Sequence, residues 1–164
     1  MHDRKWVVNA SPVILLGDIG HLYLFAALCA ELVIPDVVAD EIRAGPCKDA
    51  AQRWLQGEGA SYIQRLEHTD TLIAGWDLGA GESAVLTWVR RHPGYEAILD
   101  DRAARKCAAT LHIPVRGTLG VLLLAKREGL IPRVRPAFDL LVDVGMRITP
   151  EILHAALRLA NEEL

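Results

Sequence analysis

The feature that most constrains this chain is its rhythm: short apolar runs rich in β-branched residues alternate with helical patterns along its length. "KWVVNA", "LVIP", "YIQRL", "AILDD" and "IPVRG" read as strands, the third as an edge strand, with helical stretches between them. Parallel neighbours in a sheet need crossovers of this kind. The alternation therefore predicts an α/β chain whose central parallel sheet is covered by helices on both faces.

The helix signals are specific enough to place ends. Ser11 predicts an N-cap and Pro12 a first helical position for "SPVILLGDIGHLYLFAALCA", read as one or two helices. Asp36 predicts the cap of "DVVADEIRAG", which Gly45 ends, and 46–60 carries a further helical pattern. "GAGESAVLTWVRRH", "RAARKCAATLH" and "TLGVLLLAKREG" read as helices, the last stopped by Gly129. Two amphipathic helices, at about 136–144 and 150–163, close the pattern, the second capped at Thr149-Pro150. No linker or repeat breaks the series, so one domain over 1–164 is expected.

Composition excludes several classes. At 51 % apolar and 24 % charged residues the chain can bury a core and is not of the disordered type. Its longest apolar runs, "GVLLLA" and "LYLFAALCA", are too short to span a bilayer, so no membrane association is expected. "MHDRKW" leads into no secretory h-region, which predicts a cytoplasmic protein. Cys29, Cys47 and Cys107 have no zinc spacing and read as buried or idle thiols, and the six histidines are dispersed. A net charge of −3 argues against a broad basic surface but suits a pocket that recruits cations.

The acids fall in a pattern. Ligands of open α/β sheets bind beyond the carboxyl ends of the strands. "WVVNA" delivers Asn9 there, and "AILDD" delivers Asp100 and Asp101. Glu41 lies about one turn into the helix after the second strand, and Glu82 in the first turn after the glycine-rich loop. Facing one pocket, these oxygens would suit Mg2+ or Mn2+. Singly, Glu41 reads equally as a surface acid, Glu82 as a complement to the helix dipole, Asp100 and Asp101 as caps, and Asn9 as a turn residue.

The loop "GAGESA" admits two readings. Gly79, Gly81 and Ala84 fit a dinucleotide fingerprint, with Asp100 near the distance of a ribose-binding acid, which would make a Rossmann-type nucleotide-binding enzyme. Against this, the run is mid-chain, "GWDL" is a poor strand end, and Glu82 would place a negative charge where pyrophosphate should approach. In the other reading, the glycines let the chain turn tightly into a helix and Glu82 points at the pocket of Asp100.

"VVNASPVILLGDIGHLYLF", "LVIPDVVADEI", "LGAGESAVL", "ILDDRAARKCAATLHIPVRGTLGVLLLAKREGLI" and "DVGMRITPEIL" together resemble the PIN-domain superfamily, in particular its VapC-toxin-like prokaryotic branch. The resemblance runs over nearly the whole chain and is most specific in 98–131. It implies a three-layer α/β/α sandwich and a Mg2+- or Mn2+-dependent ribonuclease of the toxin–antitoxin type. By resemblance the acidic positions fall on Asn9, Glu41, Glu82 and Asp100, with Asp101 beside the last and Ser11 following the first. Asn9 stands where the family usually has aspartate. An amide oxygen still ligates a hard cation but brings no negative charge, so a protein that binds RNA or an antitoxin without cleaving is the alternative. Arg102, Arg105 and Lys106 are candidate RNA contacts or a solvated helix face. Trp54, Trp76 and Trp88 read as packing residues. The resemblance also implies an RNA substrate, a small antitoxin that inserts into the active-site groove, and a homodimer.

Overall fold

The protein is represented by a computed structural model that describes residues 3–45 and 49–163; Cys47 lies outside the described residues. β1 (Lys5–Val8) runs directly into α1 (Ala10–Asp18), followed by α2 (Tyr23–Leu28) and β2 (Glu31–Pro35). α3 (Asp36–Ala44), α4 (Asp49–Gln56) and a 3-10 turn over Glu58–Tyr62 lead to the two-residue β3 (Ile63–Gln64). A one-turn helix α5 (Thr71–Ala74) precedes α6 (Ala80–Arg91), then β4 (Tyr95–Ile98) and α7 (Arg102–Thr110). β5 (Val115–Arg116), α8 (Thr118–Arg127), α9 (Arg135–Asp143) and α10 (Pro150–Leu159) complete the series.

All strand pairs are parallel, in the order β3-β2-β1-β4-β5. Trp6, Val7 and Val8 of β1 and Leu32, Val33 and Ile34 of β2 are buried without alternation. Both faces of the central strands are therefore covered, and the strands read as continuous apolar runs for that reason. α6 packs on β1, β2 and β4, while α8 packs with α1, α2 and α10. The result is the three-layer α/β/α sandwich expected, with β3 at the edge. Among the described residues no helix is long and apolar enough to cross a membrane.

Several ends shift. α1 begins two residues before Pro12, so Asn9 and not Ser11 is its cap residue, in an extended conformation (φ −83°, ψ 169°) with no side-chain capping bond. A proline deeper in the first turn is tolerated because the first amides of a helix have no intrahelical acceptor to lose. Asp36 occupies the first helical position after the cap residue Pro35. Its Oδ1 accepts from Val37 N (3.0 Å) and from Leu66 N (3.3 Å), which ties a distant loop to the helix start. β4 stops at Ile98, short of "DD", and β5 is only two residues long. Thr149 caps α10 as expected, accepting from Ile152 N.

α9 has no side-chain cap of its own. Glu162, beyond α10, supplies one: its carboxylate accepts from Val134 N (2.7 Å) and Arg135 N (3.1 Å) and pairs with Lys126 Nζ of α8 (2.9 Å). Burial works against the charge on this 6 % exposed side chain, but the two amides and the ammonium outweigh it and hold its carboxyl below the usual glutamate range. One carboxylate thus locks α8, α9 and α10 together.

The Glu162→Ala variant should lose about 2–3 kcal/mol of stability, since it removes an ion pair and leaves two helix-terminal amides unpaired. Because the folded-state pKa is lowered, this contribution is present above the ordinary glutamate pKa and fades as pH falls through the lower folded value. Urea unfolding of both proteins from neutral pH downward checks this; the difference between them should shrink at the acid end.

Candidate functional site

The strand order dictates where a site can form. From β1 the chain builds outward through β2 to β3, then returns to add β4 on the other side of β1. The connections therefore diverge between β1 and β4, leaving a crevice at their carboxyl ends. Asn9 N donates to Ile98 O (2.9 Å) and Leu99 N to Arg116 O (3.1 Å), so β1, β4 and β5 end together. Asn9, Asp100 and Gly117 emerge side by side there.

Asn9 is 3 % exposed, and its Oδ1 is buried without a hydrogen-bond partner. Glu41 reaches the same spot from α3. Its Oε1 accepts from Gly81 N in the first turn of α6 (2.9 Å). A Cβ at Gly81 would lie 2.6 Å from Glu41 Oε2 and 2.8 Å from Asn9 Oδ1. Two acceptor groups thus crowd one point over the backbone at Gly81. At Gly79 a Cβ would collide with the Glu82 carboxylate. Neither glycine has a positive φ. The sequence reading of a tight turn is corrected here: these glycines make room for oxygen atoms.

The carboxyl of Glu41 is raised above the usual range by partial desolvation and by the negative charge of Glu82, partly offset by the Gly81 N–H. Glu41, Glu82 and Asn9 are therefore electrostatic neighbours. Asp100 stands across the crevice, held at both oxygens: Oδ1 accepts from Thr118 N (2.8 Å) and Oδ2 from Thr118 Oγ1 (2.6 Å). The fully buried Thr118 opens α8 and fixes the Asp100 rotamer. Asp101 is exposed and caps α7, accepting from Ala104 N (2.9 Å). Among the described residues no three His, Cys, Asp or Glu side chains are gathered closely enough to hold a metal by themselves.

A groove of about 1380 Å³ opens over the crevice, lined by Asn9, Ser11, Glu82, Asp100 and Asp101. The cations Arg102, Arg105, Lys106, Arg116 and Arg147 and the apolar residues Met146, Ile148, Ile152 and Leu159 line it as well. Its volume exceeds the roughly 300–1,000 Å³ of small-molecule sites and suits a segment of polymer. Glu41 is not part of the groove lining and meets the site through Asn9, Gly81 and the nearby charge of Glu82. Arg105 is joined to the crevice: Nη1 donates to Leu99 O (3.4 Å), and a Cβ at Gly117 would lie 2.8 Å from it and 3.0 Å from Asp100 Oδ1. None of the tryptophans lines the groove; Trp54 packs against Phe25 and Tyr62, and Trp88 stacks on His92.

The sequence reading missed Thr118, Gly81 as a space-making residue, and the cations Arg116 and Arg147. The rule that flagged Asn9 and Asp100 also applies to the end of β5, so Arg116-Gly117-Thr118 was within its reach. Arg147 carried no signal, because it comes from a turn far along the chain. The loop 79–84 follows α5 and a turn rather than a strand, and acidic oxygens fill the space over Gly81 where a phosphate would enter a dinucleotide fold.

A family model described as a PIN domain matches residues 5–162 of the chain. No curated protein matches it.

Replacing a helical glycine by alanine ordinarily stabilises by about 1 kcal/mol. Gly81→Ala should instead destabilise, by about 1–3 kcal/mol, because the methyl meets two oxygens at under 3 Å. Glu41→Gln should raise the melting temperature of the metal-free protein at neutral pH. A carboxyl with a raised folded-state pKa costs stability once ionised, and the amide removes that cost while still accepting from Gly81 N. Thermal unfolding of the two variants beside the parent reads both signs.

Proposed function

The chain belongs to the PIN-domain family, and on that premise we propose that it is a divalent-metal-dependent endoribonuclease of the toxin type. PIN domains have a nuclease-type fold and act on nucleic acids. The observation that supports this reading best is the buried Oδ1 of Asn9, which has no hydrogen-bond partner among the described residues and crowds, with the Glu41 carboxylate, one point over Gly81. A hard cation would reconcile acceptors crowded in this way, and oxygen-only donors suit Mg2+ or Mn2+. Asn9, Glu41 and Glu82 would hold it, with Asp100 and Asp101 across the crevice. Such an ion supplies an acidified water and neutralises charge on a scissile phosphate.

The chain's own residues have separable tasks. Gly81 N–H orients Glu41, and the missing side chain at 81 lets that carboxylate and the Asn9 amide approach each other. Thr118 aims Asp100 into the groove. Ser11, in the first turn of α1, supplies a hydroxyl at the groove floor. Arg105, whose guanidinium lies beside Gly117 and near Asp100, is suited to grip a phosphate next to the acids. Arg102 and Lys106 extend that cationic edge along α7. The apolar groove residues of α10 suit a small antitoxin laid in the same groove, and the exposed Leu140, Val142 and Val144 suit a second copy of the chain.

With Mn2+ or Mg2+ the protein should cleave single-stranded RNA and gain thermal stability, and EDTA should remove both effects. Glu82→Gln and Asp100→Asn should each lower cleavage on the order of 100-fold or more. Absence of Mn2+-dependent stabilisation, or cleavage that survives both substitutions, would falsify the nuclease reading. RNA binding without cleavage in the parent protein would identify a PIN protein that binds and does not cut, as the neutral Asn9 allows.

A further inference from the structure

Arg116 is the groove cation whose position the fold determines most tightly. It ends β5, and its partner across the ladder is Ile98, so it shares a sheet face with Glu96 of β4. Glu96 in turn pairs with Trp6 of β1. On that face Glu96 Oε1 accepts from the indole Nε1 of the fully buried Trp6 (3.0 Å) and from Arg116 Nε (2.9 Å). A carboxylate moored to the core therefore holds the guanidinium by its inner nitrogen. The stem is confined as well: a Cβ at Gly120, in the first turn of α8, would lie 2.8 Å from Arg116 Cγ. Among the described residues the Arg116 side chain makes no further hydrogen bond, and it lines the same groove as Glu82 and Asp100.

From this geometry we propose that Arg116 is a preorganised phosphate-binding residue for the RNA backbone, positioned by Glu96 and by the space left at Gly120. The proposal rests on the ribonuclease reading. A guanidinium held through Nε keeps its two terminal nitrogens for bidentate contact with a phosphate. The cost of ordering the side chain is met on folding, so contact with the ligand adds little further cost. Glu96 is a positioning residue: it touches no ligand, and it aims the residue that does. RNA is favoured over an acidic peptide because Arg116 lines the same groove as Arg102, Arg105 and Lys106 and as the acids Glu82 and Asp100, so a phosphate it holds lies near the acidic crevice.

The test uses the Glu82→Gln protein with Mn2+ and a single-stranded RNA oligonucleotide of mixed sequence, with affinity measured as a function of KCl. Arg116→Met should weaken binding about 10-fold and flatten the salt slope by about 0.7, the loss of one phosphate contact. Arg116→Lys should keep the slope and lose less affinity. Glu96→Ala, which removes the acceptor of Arg116 Nε, should weaken binding severalfold at nearly constant slope, since the arginine's charge remains and only its aim is lost. An unchanged slope in Arg116→Met, with or without a lower melting temperature, overturns the proposal and leaves Arg116 as a partner for Glu96. An Arg116→Lys protein that loses the slope overturns it as well. If Arg116→Met binds RNA normally but no longer binds an acidic peptide, the residue serves a protein partner and the proposal fails. No RNA binding by the Glu82→Gln parent removes this inference together with the function it rests on.

Discussion

Everything in the site follows from the reversal of strand order beside β1. A parallel sheet that grew in one direction only would have no crevice, because each crossover would cover the end of the strand it left. Here the chain returns from the edge strand β3 to place β4 on the far side of β1. The Asn9 N to Ile98 O bond joins the two strands where their helices diverge. That bond sets Asn9 and Asp100 on adjacent strand ends, and the first turns of α6, α7 and α8 close around them. The side chains need only be short and polar, since the backbone has already brought them together.

The price of this convergence is electrostatic. Glu41 is drawn partly out of water and placed near the Glu82 carboxylate, and both raise its pKa. A third carboxylate at position 9 would deepen the conflict, whereas an amide supplies an oxygen without a charge. The fold tolerates the remaining tension through backbone donors: Gly81 N for Glu41 and Thr118 N for Asp100. Stability and function pull apart at these positions, as expected where a site is organised for a ligand rather than for the empty fold.

Much of this architecture was legible beforehand. Strand and helix alternation is a local property, and the five strands and the helices over 80–91, 102–110 and 118–127 follow from apolar spacing and glycine stops. What escaped was long-range. Glu41 and Gly81 are separated by forty positions, and no local pattern states that one must be small because the other is near. Asp36 and Ser11 looked like caps from their neighbours alone; the actual caps depended on where the preceding strands ended. α5, a single turn over Thr71–Ala74, is too short to leave a periodic signal. The Trp6–Glu96–Arg116 relay crosses three strands and becomes visible only with their register.

The space at Gly81 has a consequence for how this protein can change over generations. Residue 81 and residue 41 share one small volume, so neither can drift alone. A methyl at 81 excludes the glutamate at 41 and presses on the amide at 9, so a larger residue there needs both a shorter acid at 41 and a shifted amide. Descendants of this chain should therefore carry the two positions as a matched pair, glycine with the long acid or a larger residue with a shorter one. Mismatched combinations would be purged as unstable before their chemistry was ever tried.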